Sequence, residues 1–575
     1  MNRPFRVCLV HAAGPLVPAL QSLGCEVLSL SPAESGVYDM HAELKRQGFE
    51  PDILLQCERL GPRLLLAGLE QITAVRVFWA LDPHLNAFWH APYVRLFDLV
   101  FSTQRRWMPH LAACGAPRLR HLPWHAPEGP FLPFAERSRL AGFVGRLGPT
   151  RPARTWLAEL MRELAPQDFA LEDNLDFPAM LDFYRHTKAV PNESITGEVN
   201  FRLFEAAGCG CVVLAQDLGP EQAELFEPGR EMLVCADALE LAENLKLLAK
   251  SPRLAETLGR AAWERAQAEH LPLARAKTIL REAAEAPRQH LASQDAHFWL
   301  TLALANLCEA GRLPGSEEAV AERLATLPGV QAQLPRLDEN ACLALCARLR
   351  LAHTLKRLKR PNELSALLHA LDVQLPPEPD PRLRHGHGLA LALTCSMCLL
   401  DLGQPGQGTP DMAAALRFSA RAGITPPNNS EGPVPLLLAW AQRLDEAGVR
   451  ARGGFAFDAE EHLPASPNEC LHCALHLHPG QQEALRALTR GLAREPGAEV
   501  LRLGLLSELS LRAREDWRVS LELGRVCLQT FRPKSGFEEL RLAAHLAQSL
   551  GQDQEFDQAL AQADPSERLR RALAR

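Results

Sequence analysis

The first 285 residues alternate short apolar runs with segments of helical periodicity, and this alternation restricts the folds open to the chain. The first run, Arg6–Val10, precedes a Gly-bearing loop and a helical pattern that continues to Ser22. Strands separated by helices in this order form a parallel sheet with right-handed crossovers. The pattern predicts strands at 6–10, 26–30, 52–56, 75–79 and 99–101, then at 140–145, 189–190, 211–214 and 232–234.

The strands fall into two series, so two doubly wound units are expected in tandem. We assign residues 1–135 to an N-terminal Rossmann-like domain and residues 136–284 to a second one, which ends in helices from about residue 239. Ligands of such sheets bind at the carboxyl ends of the strands. The two units are therefore expected to face each other across a cleft.

The composition changes near residue 285. All three tyrosines, 15 of the 22 phenylalanines and six of the nine tryptophans precede it. Since aromatic residues favour strands, residues 285–575 should be nearly all helix. There Pro479-Gly480 and Pro496-Gly497 stand 17 residues apart, half of the tetratricopeptide (TPR) period of about 34 residues. The fold class predicted is α/β followed by all-α, with a TPR-like α-solenoid broken by loops at 375–382 and 426–435.

Charge and hydropathy exclude several classes of protein. A net charge of −7 leaves no broad basic surface for nucleic acid. The longest apolar run, Leu389–Leu400, has 12 residues, too few to cross a bilayer. The 15 cysteines of this long chain, which shows no signal-peptide core, predict reduced thiols and a cytoplasmic location.

The segment Asn200–Leu214 runs from an amphipathic helix through a glycine turn into a buried strand. It resembles the donor-site helix of group 1 glycosyltransferases with the GT-B fold, most closely the CgeB-like branch with its Asn-x-Arg-x-Phe-Glu-Ala…Gly pattern. The resemblance implies that Glu205 accepts hydrogen bonds from the ribose hydroxyls of a nucleotide-sugar donor. It also places Asn200, Arg202 and Gly208 at the donor ribose and sugar. The alternative is that Arg202 and Glu205, three residues apart on one helix, only pair with each other.

A second segment, Phe143–Arg151, ends a strand in a glycine loop that opens a helix near residue 152. Backbone N–H groups at a helix N-terminus favour a pyrophosphate. The segment resembles the Gly-Arg-Leu…Lys loop of the same family, which predicts that Gly145, Arg146 and Arg151 bind the donor diphosphate. Arg154 is a competing candidate, and a charged surface loop is the alternative explanation.

The family also has a two-glutamate motif with eight-residue spacing, and this chain departs from it. The position eight before Glu205 is Gly197, with Glu198 beside it. The first carboxylate is therefore unassigned, and Asn200 is our substitute for it.

The segment Phe78–His84 follows a predicted strand of the first unit and resembles the Trp-x-x-Asp segment of CgeB-like transferases. If the reaction inverts the sugar, Asp82 or His84 is the candidate catalytic base; if it retains, they orient the acceptor. The alternative for Asp82 is a loop-capping role before a proline. His11 and Gly14 lie on a loop after the first strand and are predicted on the acceptor side.

Together these segments predict a metal-independent glycosyltransferase that uses a nucleotide-diphosphate-sugar as co-substrate and needs no other cofactor. No Asp-x-Asp triplet occurs, which agrees with charge neutralisation by arginines instead of a metal. The solenoid offers a concave surface for a protein acceptor, for instance flagellin in bacterial protein glycosylation. The alternatives are a nucleotide-sugar epimerase of the same fold and a non-catalytic scaffold with a degenerate GT-B module.

Overall fold

The computed structural model describes residues 4–12, 14–313, 315, 317–327, 339–374, 379, 381–400, 412–426, 432–450, 452–495 and 497–574. Their contacts divide the chain into two compact units. The first unit contains Met1–Pro123 and Ala276–Leu488, and the second contains Trp124–Arg275 and Thr489–Arg575. Each unit thus combines a segment from the first half of the chain with helices from the second half.

The first unit is built on a six-stranded parallel sheet of order β2-β1-β4-β6-β7-β8, with a separate parallel pair β3-β5. Its strands are β1 Arg6–Val10, β2 Glu26–Leu30, β3 Gly36–Asp39, β4 Ile53–Cys57, β5 Leu64–Ala67, β6 Val75–Ala80, β7 Leu99–Ser102 and β8 Leu119–His121. The helices between them are α1 Leu16–Ser22, α2 Met40–Gln47, α3 Pro83–Tyr93 and α4 Met108–Ala113.

The central strands of this sheet are buried on both faces. In β1, Val7 pairs with Val27 of β2 on one side and with Ile53 of β4 on the other. Strands β4 and β6 are buried at every position. Because successive side chains point to opposite faces, continuous apolar strands of this kind need cover on both faces, as crossover helices provide.

The second unit has a five-stranded parallel sheet of order β10-β9-β11-β12-β13. Its strands are β9 Arg139–Val144, β10 Phe169–Glu172, β11 Thr187–Asn192, β12 Val212–Gln216 and β13 Leu233–Cys235. The helices of this part are α5 Pro152–Leu164, α6 Phe177–Arg185, α7 Phe201–Gly208, α8 Pro220–Leu225, α9 Ala238–Lys250 and α10 Pro252–Glu269. They are followed by α11 Pro272–Glu285, most of which belongs to the first unit.

Beyond α11, the described elements are α-helices and one short 3₁₀ turn at Pro381–Arg384. They are α12 Ser293–Glu309, α13 Glu317–Thr326, α14 Glu339–Arg357, α15 Pro361–Gln374, α16 Gly386–Leu400, α17 Met412–Arg421, α18 Pro433–Glu446, α19 Pro467–Leu477, α20 Gln482–Leu492, α21 Glu499–Arg512, α22 Trp517–Gln529, α23 Pro533–Ser549, α24 Asp553–Ala563 and α25 Arg568–Leu573. Several begin with proline, whose fixed φ suits the first helical position. Among the described residues, no helix is long and apolar enough to span a membrane.

The helices of the first unit are joined by a buried charged cluster around Glu309. Its carboxylate accepts a hydrogen bond from Arg350 at 2.8 Å and another from Arg452 at 3.1 Å, and it lies 3.0 Å from Nδ1 of His353. Arg452 also pairs with Glu469 at 3.0 Å. Burial by itself favours the neutral acid, yet the two guanidinium groups and His353 hold the pKa of Glu309 well below its ordinary value. The cluster links α12, α14 and α19.

The helices after residue 488 pack on the second unit. Phe531 is buried in the same apolar cluster as Phe134 and Leu157. The guanidinium of Arg532 lies 5.0 Å from the ring centroid of Trp156 on α5. These contacts make the last helices part of the core of the second unit.

The predicted fold class, α/β followed by all-α, is confirmed, and each predicted strand coincides with an observed one. Four strands were missed: β8 and β10, which are short, half-exposed edges, and β3 and β5, which form a pair of their own. The predicted loop at 426–435 is wrong at its end, because residues 433–435 form the first turn of α18. Residues 375–378, 380, 427–431 and Pro496 lie outside the described residues. The TPR character of the helices and the boundaries at 135 and 284 stay predictions.

Candidate functional site

In the second sheet, the direction in which successive strands are added reverses between β9 and β11. From β9 the chain moves to β10 on one side and then to β11 on the other. At such a point the connections leave the sheet in opposite directions and open a crevice at the carboxyl ends of the strands. The side chains around the ends of β9 and β11 are therefore the first candidates for a site.

Gly145 follows β9 and lies where two arginines converge. A Cβ atom at this position would lie 3.0 Å from the ring of Phe143, 3.2 Å from a terminal nitrogen of Arg202 and 3.4 Å from one of Arg154. The glycine therefore leaves room for both guanidinium groups beside the backbone.

Arg154, on the first turn of α5, forms a buried ion pair with Glu193, which directly follows β11. Nε of Arg154 donates to Oε2 of Glu193 at 2.9 Å, and the two side chains are only 6% and 2% exposed. Burial lowers the pKa of Arg154, and the carboxylate of Glu193 opposes this change. Because a buried charge is costly without a partner, the pair fixes the end of β11 against α5.

Arg202, on the first turn of α7, reaches the ends of both strands. It donates to Oδ1 of Asn192 at 3.2 Å and to the carbonyl oxygen of Val144 at 3.4 Å. Its guanidinium lies 4.2 Å from the ring centroid of Phe143, within cation–π range. Its Nε is buried and has no acceptor among the described residues. Arg202 thus retains a donor for a ligand.

Asn200 precedes α7 and, like Arg202, has one buried polar atom without a hydrogen-bond partner among the described residues. Its amide nitrogen donates to the carbonyl oxygen of Glu193 at 3.0 Å, whereas its buried Oδ1 has no donor within the described parts of the chain. The amide group of Asn200 therefore retains an acceptor, as Arg202 retains a donor.

Glu205 lies one turn further along α7 and is 9% exposed. Burial raises the pKa of Glu205 to about 7, and the nearby charge of Arg202 reduces the increase. The expectation that these two residues only neutralise each other is therefore incomplete: Arg202 donates hydrogen bonds to Asn192 and Val144 at the strand ends, and Glu205 remains a poorly solvated carboxylate. Such a group gains from any ligand that supplies two hydroxyl donors.

The remaining residues predicted at this site differ in their surroundings, although a terminal nitrogen of Arg154 donates to the carbonyl oxygen of Arg146 at 3.5 Å. Arg146 is exposed, Arg151 is half-buried at the N-terminus of α5, and neither forms an ion pair with any residue that the structure describes. A Cβ at Gly208 would lie 2.6 Å from Cδ of Pro127, so packing already requires glycine there. Oε2 of Glu198, beside the position of the missing carboxylate, accepts from the hydroxyl of Ser194 and from the backbone N–H of Thr196.

In the first unit, Asp82 and His84 lie at the N-terminus of α3, after β6. Oδ1 of Asp82 is 3.9 Å from Nε2 of His84, and their side chains are 22% and 6% exposed. No capping hydrogen bond from the Asp82 side chain is present. This geometry leaves the carboxylate partly open to solvent with an imidazole beside it, an arrangement suited to accepting a proton.

Glu58, which the sequence analysis did not identify, forms a hydrogen bond with the backbone of this segment. It follows β4, and its Oε2 accepts from the backbone N–H of Asp82 at 2.9 Å. The side-chain amide of Asn86 donates to Oε1 of Glu58, and Nε2 of His90 lies 3.3 Å from Oε2. Burial alone disfavours the charged form, but His90 and the Asp82 amide lower the pKa of Glu58. A glutamate placed directly after a buried apolar run was the available signal.

His11 and Gly14 occupy the loop after β1. His11 is buried with φ +58, and its Nε2 lies 2.9 Å from the carbonyl oxygen of Pro32. Burial lowers the pKa of His11, so it stays neutral at physiological pH. A Cβ at Gly14 would meet nothing within 4 Å. The predicted acceptor-side role of both residues stays a prediction.

No group of three or more His, Cys, Asp or Glu side chains suited to a metal ion occurs within the described ranges.

Comparison with known proteins gives one family match, which covers less than half of the chain. Residues 146–281 match a family described as "Glycosyl transferase-like". No curated protein matches the chain.

Solved structures resemble parts of the chain more distantly. Sucrose-phosphate synthase from Thermosynechococcus elongatus is 14% identical with a TM-score of 0.37, over 49% of this chain and 98% of that one. A glycosyltransferase from Rickettsia africae is 10% identical with a TM-score of 0.38, over 50% and 99%. Anabaena HepE, solved with UDP-glucose, is 13% identical with a TM-score of 0.35, over 49% and 99%. Likenesses this distant carry no inference about activity.

Proposed function

We propose that the chain is a glycosyltransferase whose nucleotide-diphosphate-sugar donor binds at the carboxyl ends of β9 and β11 in the second unit. The family match over residues 146–281 supports the class of reaction. The observation that carries the proposal is the pair of groups on α7: a buried carboxylate, Glu205, one turn from an arginine, Arg202, that contacts both strand ends.

This pair suits the two ends of a nucleoside diphosphate. A carboxylate can accept both hydroxyls of a ribose, and a guanidinium with an unused N–H can donate to a phosphate oxygen. The N-terminus of α5, where Arg151 and Gly145 are predicted to bind the diphosphate, adds a positive dipole. Arg146 is included in this proposal as an exposed cation on the same loop.

The reaction we propose breaks the bond between the anomeric carbon and the diphosphate oxygen and forms a bond between that carbon and an acceptor hydroxyl oxygen. If the sugar is inverted, the acceptor proton passes to a base, for which Asp82 or His84 is our candidate; if it is retained, these residues orient the acceptor. The nucleoside diphosphate leaves as an anion, and the arginines stabilise it. In this proposal the arginines take the role that a divalent metal has in other transferases.

The finer assignments belong to the same proposal. We assign the enzyme to the CgeB-like branch, a protein such as flagellin to the acceptor, and the helices after residue 285 to holding that acceptor. The support is the motif around α7 and the helical content of that region. Incubating the protein with labelled donor and cytoplasmic lysate tests the acceptor: label found only in glycolipid would refute a protein acceptor.

Donor binding is tested first by thermal shift with UDP-, GDP-, dTDP- and CMP-sugars. A ligand that binds the native state raises the melting temperature. Glu205→Gln should weaken binding of the active nucleotide by about tenfold or more, because hydrogen bonds to a charged group contribute about 1.5–3 kcal/mol. Glu159→Gln, on the exposed side of α5, is the matched control. Equal affinities of the two variants would contradict the proposed site.

Product analysis separates the alternatives. An epimerase converts its nucleotide sugar with no acceptor present, whereas a transferase releases free nucleoside diphosphate only as sugar is transferred or hydrolysed. A scaffold would do neither in the parent protein.

A further inference from the structure

The turn between α20 and α21 lies directly on the loop that joins β11 to α7. Gly497, in this turn, has φ +82. A Cβ placed on it would lie 2.1 Å from the carbonyl carbon of Thr196 and 2.4 Å from the nitrogen of Gly197. The opposing atoms belong to the backbone, so no side-chain rotation relieves the overlap. Only glycine permits this approach, and all three residues belong to the second unit.

Within the loop that Gly497 contacts, residues 194–198, several groups donate hydrogen bonds to the carboxylate of Glu198. That carboxylate accepts from the hydroxyl of Ser194 at 2.7 Å, and from the N–H and hydroxyl of Thr196 at 2.7 and 2.9 Å. These hydrogen bonds tie residues 194, 196 and 198 to one another. Glu193, the partner of Arg154, directly precedes the loop, and Asn200 follows it after one residue, so a displacement of the loop would shift both.

The same C-terminal helices also contact α5, which carries Arg154. The guanidinium of Arg532 packs over Trp156, and Nζ of Lys534 lies 2.8 Å from Oε1 of Glu163. Two of the segments that form the candidate site thus contact segments that lie more than 300 residues later in the sequence.

We infer that Gly497 is a positioning residue of the donor site: the α20–α21 turn holds loop 194–198 in the geometry that binds the nucleotide sugar. The C-terminal helices are on this view part of the donor-binding machinery as well as a surface for partners. The inference rests on the proposed function, since it concerns the geometry of that site.

The test compares Gly497→Ala with Gly551→Ala in the full chain. Gly551 also has a positive φ, +67, but its Cβ would meet nothing within 4 Å. Both alanines carry the cost of a left-handed backbone, so the difference between the variants reports the contact. We expect Gly497→Ala to raise Kd and KM for the nucleotide or nucleotide sugar that binds the parent by about ten- to a hundredfold, with a smaller change in kcat. Amide hydrogen exchange of residues 194–198 should accelerate only in Gly497→Ala.

Equal Kd values and equal exchange of residues 194–198 in the two variants would overturn the inference. If the parent binds none of UDP, GDP, dTDP and CMP, the proposed function fails instead, and the exchange comparison still decides whether the turn positions the loop. If Gly497→Ala does not fold, exchange of the parent protein is measured with and without the bound nucleotide. Slower exchange of Gly497 and of residues 194–198 together supports the inference, and slowing confined to 194–198 overturns it.

Discussion

Replacing Glu205 by glutamine should stabilise the unliganded protein at alkaline pH and leave it nearly unchanged at pH 4. Burial raises the pKa of Glu205 from an ordinary 4.5 to about 7, so the folded state holds a proton that the unfolded chain releases. Between these values the unfolded state binds fewer protons, and stability falls as the pH rises. Above pH 7 the loss is complete. Glutamine has the same shape and carries no charge, so it avoids the loss.

The size of the effect follows from the two pKa values. A change from 4.5 to about 7 corresponds to about 3 kcal/mol of stability lost above pH 7. In a unit of this size, 1 kcal/mol shifts Tm by about 2–4 °C. We therefore expect Glu205→Gln to raise Tm by several degrees at pH 8 and by almost nothing at pH 4, and to weaken nucleotide binding at the same time.

The assay is thermal unfolding of the parent, Glu205→Gln and the control Glu159→Gln at pH values from 4 to 8.5. The control should follow the parent at every pH. A Tm difference between Glu205→Gln and the parent that does not change with pH would refute the reasoning. A glutamine variant less stable than the parent at pH 8 would refute it as well, because it would mean that the ionised carboxylate is stabilised within the fold.

Three further perturbations test the packing and the buried charges. Gly142→Ala places a Cβ 2.7 Å from the ring of Phe183 on α6 and should destabilise the protein by about 1–3 kcal/mol in the melting assay. The control is Gly148→Ala, whose Cβ would meet nothing within 4 Å. This control should be neutral or slightly stabilising. Glu193→Leu leaves the guanidinium of Arg154 without its partner and should cost about 3–5 kcal/mol; a double variant that also carries Arg154→Met should recover most of this loss in urea unfolding, and no recovery would contradict the pairing. Glu309→Gln should lower the free energy of unfolding by about 1–3 kcal/mol at pH 7. Since the pKa of Glu309 lies well below 4.5 in the folded protein, the difference in stability between parent and variant should shrink as the pH falls towards 3. Urea unfolding midpoints of the two proteins measure this difference.

Part of the site could be predicted from the sequence because its residues lie in one continuous segment. Asn200, Arg202 and Glu205 fall within six residues, and the structure places Asn200 at the N-cap of α7 and the other two on its first turns. The pair of Arg154 and Glu193 could not be predicted in this way. Its members are 39 residues apart, and only the packing of α5 against the end of β11 brings them together.

Sequence alone did not distinguish among the arginines of the loop that follows β9. The sequence favoured Arg146 and Arg151, with Arg154 as a competing candidate, and of these three arginines Arg154 is the one that the structure buries. Arginines in adjacent turns look alike in a sequence. Burial separates them, because it depends on which face of α5 meets the sheet.

The sequence by itself determined nine of the 13 strands in the described chain and the change from α/β to all-α, because apolar periodicity is a local property that needs only a few neighbouring residues to be recognised. The tertiary structure alone decided which surfaces those elements cover. An apolar stripe on a helix shows that the helix must be covered, but does not identify its partner. Here the helical segment Ala276–Leu488 packs in the first unit, whereas the helices of Thr489–Arg575 pack in the second. Contacts such as that of Gly497 with Thr196 join segments 301 residues apart, and the free energy that selects them belongs to the whole folded chain.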